Sequence, residues 1–236
     1  MSTTLVPPSP AKAAKAVKTA QGAAAEMKTI HSAFRRELRL APALVRSVEH
    51  GDRIRTAVVA NHLDLIDRFL HHHHSIEDEL VWPKLLERVP AEIAPIVELM
   101  ESQHHTVADL LERAAQLRVA WRTDADRRWA FELAAVYGEL HDALVEHLDA
   151  EEQHVMPLVE ACITKKEWAA VGKAAQRSTP LKDARRMLGM LAYDGDPEVI
   201  RDMLGAVPGP MRGVVIKAGH RAYAKHANRV YGTPTP

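Results

Sequence analysis

One cysteine, Cys162, occurs in the 236 residues. That excludes an internal disulfide and any cysteine-based zinc site. Aromatic residues are only 5% of a chain that is 47% hydrophobic, so the core must be mostly aliphatic. With abundant Ala, Leu, Glu, Arg and Lys, such a mixture favours an all-α protein over a sheet protein. Charge of one sign is not in excess, with 31 Lys and Arg against 31 Asp and Glu. Net charge therefore points neither to nucleic acid nor to an acidic substrate. No apolar run approaches the roughly 20 residues that span a bilayer, so stable membrane insertion is not expected. The N-terminus lacks the apolar block of a signal peptide, which makes the cytoplasm the expected compartment.

What is present is a histidine–glutamate pattern that occurs twice. The first copy reads HHSIEDELVWP from His73 to Pro83, and the second HLDAEEQHVMP from His147 to Pro157. His73 aligns with His147, Glu77 with Glu151, Asp78 with Glu152 and Pro83 with Pro157, each pair 74 positions apart (147 − 73 = 74). In each copy the His and Glu are four residues apart. On a helix this puts imidazole and carboxylate on one face, roughly 5–6 Å apart at Cβ. Two such helices face to face would bring two imidazoles and two carboxylates to one point.

Apolar spacing places these pairs within long helices. Residues 1–21 are rich in Pro, Ala and Lys without a sustained apolar face and read as a flexible lead-in. Met27, His31, Phe34, Leu38, Ala41 and Val45 then follow in steps of four and three, the stripe of a buried helical face. Pro42 is expected to bend or shorten the end of that helix. Gly51-Asp52 supplies a stop and a new N-cap. The second stripe runs Val59, Leu63, Ile66, Leu70, His73, Glu77, Leu80. A third helix, after Pro90 or Pro95, carries Met100, His104, Val107 and Leu111. A fourth, opened by Thr123-Asp124, carries Leu133, Tyr137, Leu140, Leu144, His147 and Glu151. The expected architecture is an up-down antiparallel four-helix bundle over 22–162, built from two similar hairpins. Shorter helices around 166–175, 181–191, 197–204 and 210–230 make a C-terminal helical extension, 163–236.

A His and Glu four apart are ordinarily a solvated surface pair. Here they continue the apolar stripes, and a carboxylate buried without a partner costs several kcal/mol or takes up a proton. Two on facing stripes require cations between them. Of the run His71 to His74, only His73 recurs in the second copy, where Val145, Glu146 and Leu148 stand opposite the others. His71, His72 and His74 are therefore expected at the surface or as hydrogen-bond partners of ligands. The first helix offers His31. The third offers His104, whose neighbours at plus three and plus seven are Val107 and Leu111, with His105 the less well matched alternative. Asp78 and Glu152, beside the glutamates, read as surface residues or partners of ligands. His154 reads as a helix-end residue facing solvent, and Tyr137 as core.

The ordered set His31, His73-x-x-x-Glu77, His104, His147-x-x-x-Glu151, closed by Trp82-Pro83 and Met156-Pro157, resembles the hemerythrin-like, or HHE cation-binding, domains over residues 22–162. The resemblance implies two iron ions with an oxo or hydroxo bridge. By it His31 and His73 bind one iron and His104 and His147 the other, while Glu77 and Glu151 bridge the pair. Donor chemistry alone would also admit manganese or zinc. Oxygen-carrying members resemble this chain but have a fifth histidine one turn after the third-helix ligand, where Ala108 stands here, and HxxxxD in place of the second HxxxE. Four histidines leave both metals with open positions, which suits breakdown of hydrogen peroxide better than reversible O₂ binding. The expected partner is thus a small oxidant or diatomic gas (hydrogen peroxide, O₂ or NO), with catalase- or peroxidase-like turnover. A sensing or iron-holding module without turnover is the alternative.

From Met203 onward Arg212, Lys217, Arg221, Lys225 and Arg229 meet no acidic residue. This reads as a packed helix showing a basic face to water. His220 and His226, lacking a glutamate partner, are excluded from the metal site.

Overall fold

The computed structural model describes residues 19–89, 94–177 and 179–236, so most of the expected lead-in lies outside the described residues. Those residues are almost entirely helical, with no strand among them beyond an isolated bridge between Thr19 and Thr164. Four long helices carry the fold: α1 (Ala23–Arg46), α2 (Arg53–Leu80), α4 (Ala94–Asp124) and α5 (Arg127–Ala150). A short α3 (Trp82–Arg88) follows α2, and α6 (Met156–Cys162) follows α5. α1 packs on α5 and α2, while α4 packs on α5 and α2. A continuous core of Leu, Ile, Val, Ala and Phe lies between them, including Leu38, Leu63, Ile66, Leu70, Leu133, Leu140 and Leu144.

The ends of the helices follow local chemistry. Gly51 adopts a left-handed φ of 81°, and the Asp52 carboxylate accepts from the Arg55 N–H to cap α2. Pro42 does not shorten α1, which continues to Arg46. Thr123-Asp124 does not open the fourth helix either. α4 runs through Asp124, the chain turns at Ala125 with φ of 55°, and Asp126 caps α5 by accepting from the Arg128 N–H. Two aspartates two residues apart offer the same cap, and the turn geometry selects the second. α2 ends at Leu80, just before Pro83 as expected, and the two prolines also open the short helices: Pro83 lies in the first turn of α3 and Pro157 in that of α6. A first-turn proline gives up an N–H that has no helical acceptor anyway.

The extension is α7 (Lys165–Arg177), α8 (Leu181–Asp194), α9 (Pro197–Met203) and α10 (Gly209–Tyr231). α8 and α10 cross closely because both are glycine at the contact. A Cβ on Gly189 would lie 2.1 Å from the Gly219 carbonyl oxygen. Met190, Tyr223, Ala227 and Val230 of this pair join the same core as the long helices.

A buried polar cluster also ties the pair down. Glu37 on α1 accepts from the hydroxyls of Tyr223 (2.8 Å) and Tyr231 (2.5 Å) and from Arg36. Arg36 also bonds Asp194 at 2.6 Å. His62 on α2 meets both Tyr231 and His226. Burial works against ionising Glu37, but His62, Arg36 and Tyr231 together hold its pKa down to about 2. The basic residues Lys217, Arg221, Lys225 and Arg229 of α10 are exposed, while Arg212 bonds the Val207 and Gly205 carbonyls.

Candidate metal centre

The first halves of α1 and α4 and the ends of α2 and α5 converge on one buried polar point. His31, Glu77, His104, His147 and Glu151 are each at most 5% exposed, and the His73 side chain is 11% exposed. All six expected residues are brought together. His104 is buried and His105 exposed, while His154 faces solvent.

Their donor atoms form two groups. One holds His31, His73, Glu77 and Glu151, the other His74, Glu77, His104 and His147, and within each the donors lie within 4.8 Å of one another. Ligands on opposite sides of a first-row ion stand about 4.2 Å apart, twice a bond of about 2.1 Å. Glu77 is common to both groups; Glu151 belongs to one.

His74 departs from the expectation. It is 5% exposed, and its ring lies 3.9 Å from that of His104 at an interplanar angle of 8°. Comparison of the two copies gives it no counterpart, since Leu148 stands opposite. A different signal is present in the sequence. Leu63, Asp67, Leu70, His74 and Glu77 form an unbroken series of steps of four and three, so position 74 lies on a buried stripe as surely as position 73. His71 is exposed, as expected.

Ring orientation is set from outside the donor groups. His31 Nδ1 is 2.9 Å from Glu152, which also receives Arg35, and His104 Nδ1 is 2.8 Å from Asp78. His147 Nδ1 faces Gln103 Oε1 at 3.3 Å. The two carboxylate contacts are made across helices, from α1 to the turn after α5 and from α4 to the end of α2. This gives Asp78 and Glu152, which occupy equivalent positions in the two copies, equivalent work. A proton on each Nδ1 turns the Nε2 lone pair inward, the arrangement typical of metal-bound histidine. Replacement of Glu152 or Asp78 by alanine should therefore weaken metal binding about 10–100-fold without abolishing it. Equilibrium dialysis measures this, and unchanged affinity would refute the orienting role.

Inward-facing atoms have little to satisfy them. Among the described residues, His31 Nε2, His73 Nε2, His74 Nε2, both Glu77 carboxylate oxygens and Glu151 Oε2 are buried without a hydrogen-bond partner. Their close polar neighbours are one another, with His31 Nε2 at 3.2 Å from Glu151 and His73 Nε2 at 3.3 Å from Glu77. His104 Nε2 and His147 Nε2 face each other at 3.2 Å. With both Nδ1 atoms protonated, two lone pairs point at one another, which a shared cation resolves.

Electrostatics agree. Burial, with the Glu151 charge adding to it, pushes the Glu77 carboxyl well above its ordinary value. Burial also opposes ionisation of Glu151, yet His31 outweighs it and holds that carboxyl down to about 2. Burial lowers His73 and His74 and takes His147 to about 3, so these rings are neutral and able to coordinate. Unlike its neighbours, His31 is raised: burial lowers it, but Glu151 and Glu152 prevail. Neutral imidazoles at His73, His74 and His147, with His31 and two buried carboxylates beside them, form a set that fits metal cations.

Backbone at the second copy is adapted as well. Glu151–Val155 forms a single π-helical turn before Met156. The extra residue places Val155 rather than His154 in the core, and such turns often occur at functional sites. Beside the second donor group lies a cavity of about 370 Å³, lined among others by His71, His74, Asp78, Glu101, His104 and Ala108.

No curated protein and no solved structure matches the chain. The family model described as hemerythrin HHE cation binding domain matches residues 23–159, from the first residue of α1 to within α6. Its span covers every donor residue named above and stops short of the C-terminal extension. The chain belongs to the hemerythrin HHE cation-binding family.

Proposed function

We propose that the chain is a non-haem di-iron protein that binds small oxidants at a metal pair and decomposes hydrogen peroxide. The carrying observation is the double group of buried, unpartnered nitrogen and carboxylate donors that share Glu77. In this reading α1, α2, α4 and α5 are an up-down antiparallel bundle, and the ions lie between their facing stripes. His31, His73 and Glu151 would hold one iron, His104 and His147 the other, and Glu77 would join them. Bound iron would supply Lewis-acid and redox chemistry to an oxidant.

The protein's own contribution is threefold. Asp78, Glu152 and Gln103 fix the tautomers of three imidazoles. The aliphatic core beside the site keeps bulk water from the donors. The cavity walled by Ala108, where the oxygen carriers have a further histidine, leaves room for a small molecule beside His104.

A second reading, a sensing or iron-holding module without turnover, is favoured by one observation. Glu37, which anchors the C-terminal helices, is on the same helix as His31 and six residues after it. A shift of α1 on metal or gas binding would reach α10 directly.

The experiment is metal analysis and optical spectroscopy of the iron-loaded chain before and after hydrogen peroxide. Two irons per chain with sustained oxygen evolution support turnover. A stoichiometric spectral change without oxygen evolution supports the sensor, and failure to retain any transition metal overturns both.

A further inference from the structure

The two halves of the donor set differ in chemistry even though a sequence repeat builds both. The first group offers two imidazoles and two carboxylates; the second offers three imidazoles and one carboxylate, with His74 where the first has Glu151. We propose that His74 is a ligand of the ion beside His104 and His147, so that the chain has one nitrogen-rich and one oxygen-rich metal position of unequal affinity. This rests on the reading of the site as a metal pair and deepens it.

Three observations carry the assignment. His74 is buried, and its Nε2 has no hydrogen-bond partner among the described residues. One of its ring nitrogens lies within 4.8 Å of donors from Glu77, His104 and His147. The opposing position in the second copy is Leu148, itself fully buried, so a leucine fills the equivalent space without placing a polar nitrogen there. Filling the space therefore does not require histidine at position 74, and its stack on the His104 ring leaves the inward Nε2 unaccounted for.

The consequence is a division of labour between the positions. Imidazole-rich sites favour zinc, nickel and the later first-row ions, whereas carboxylate-rich sites better tolerate manganese and other harder ions. The position with His74 takes zinc tightly, and the position with Glu151 takes manganese or iron in preference to it. His74 also restores a count of five histidines, supplied from α2 in place of the third-helix residue that is Ala108 here. The ligand count thus ceases to argue against reversible oxidant binding.

The test is titration of the metal-free full chain with zinc and separately with manganese, followed by equilibrium dialysis. The wild-type chain should bind zinc in two steps. His74→Leu should weaken the tighter step at least about 100-fold, more than loss of an outer hydrogen-bond partner, and leave the other step in place. His73→Leu should do the reverse. Far-UV circular dichroism and thermal melting check the fold of each variant. If His74→Leu does not fold, His74→Gln, which keeps a polar side chain of similar reach, is read instead and should show the same selective loss. Two unaltered zinc steps in a folded His74 variant would overturn the assignment while leaving the metal pair intact. A wild-type chain that takes up neither zinc, manganese nor iron would overturn the metal pair itself.

Discussion

Glu77→Leu should remove both metals at once and leave the metal-free protein as stable as before or about 1–4 kcal/mol more stable. Glu77 is the one described residue in both donor groups, so neither group keeps its carboxylate–imidazole set without it. Its side chain is 1% exposed, and both oxygens lack a hydrogen-bond partner among the described residues. In the metal-free chain it is a buried group whose carboxyl is pushed well above its ordinary value by burial and by the Glu151 charge. Leucine has a similar volume and no such penalty. Elemental analysis after iron loading and gel filtration should fall from two irons per chain towards none. Denaturant unfolding in chelator measures the stability. Glu151→Leu should behave differently, because Glu151 is paired with His31 at 3.2 Å. Its loss strips the first position and strands the His31 ring, so the metal-free variant should be less stable. Two irons retained by Glu77→Leu would refute the proposal that Glu77 serves both metal positions.

Arg118→Met should cost about 3–5 kcal/mol of folding stability, since it leaves a buried carboxylate without its cation. Arg118 and Asp67 are each 6% exposed, and Tyr137 is fully buried. Arg118 donates to Asp67 and to the Tyr137 hydroxyl, which in turn donates to Asp67 at 2.8 Å. Even with these partners, burial outweighs Arg118 and lifts the Asp67 carboxyl to about 6. Removing the guanidinium removes the main force that keeps it ionised. Replacing both partners by leucine should recover most of the loss, because desolvation of the pair offsets much of its attraction. Urea unfolding with an unchanged slope gives the comparison. A single substitution no more costly than the double would show that cavity formation, not the unpaired charge, dominates.

Tyr137 is legible as core from its place on the stripe, but its partners are not. Asp67 falls between Leu63 and Leu70 on a buried stripe, and Arg118 lies on α4, well past Val107 and Leu111, in a helix whose apolar pattern is weak. Nothing local distinguishes such a charge from a solvated one; only the arrival of α2, α4 and α5 at one point does. The same holds for Glu37 and His62, whose tyrosine partners come from residues 223 and 231.

What the sequence determined by itself was the helical class, the four long stripes and the six residues His31, His73, Glu77, His104, His147 and Glu151, which the fold brings to one place. It could do so because helical period and internal repeat are local and additive: each of these residues sits on an apolar face whose spacing is written in nearby residues of one helix. Tertiary structure alone decided the rest. It paired His31 with Glu152 and His104 with Asp78 across helices and seated the C-terminal helices on Glu37. Those are contacts between residues 26 to 194 positions apart, and no periodicity within one helix records which neighbour will face it.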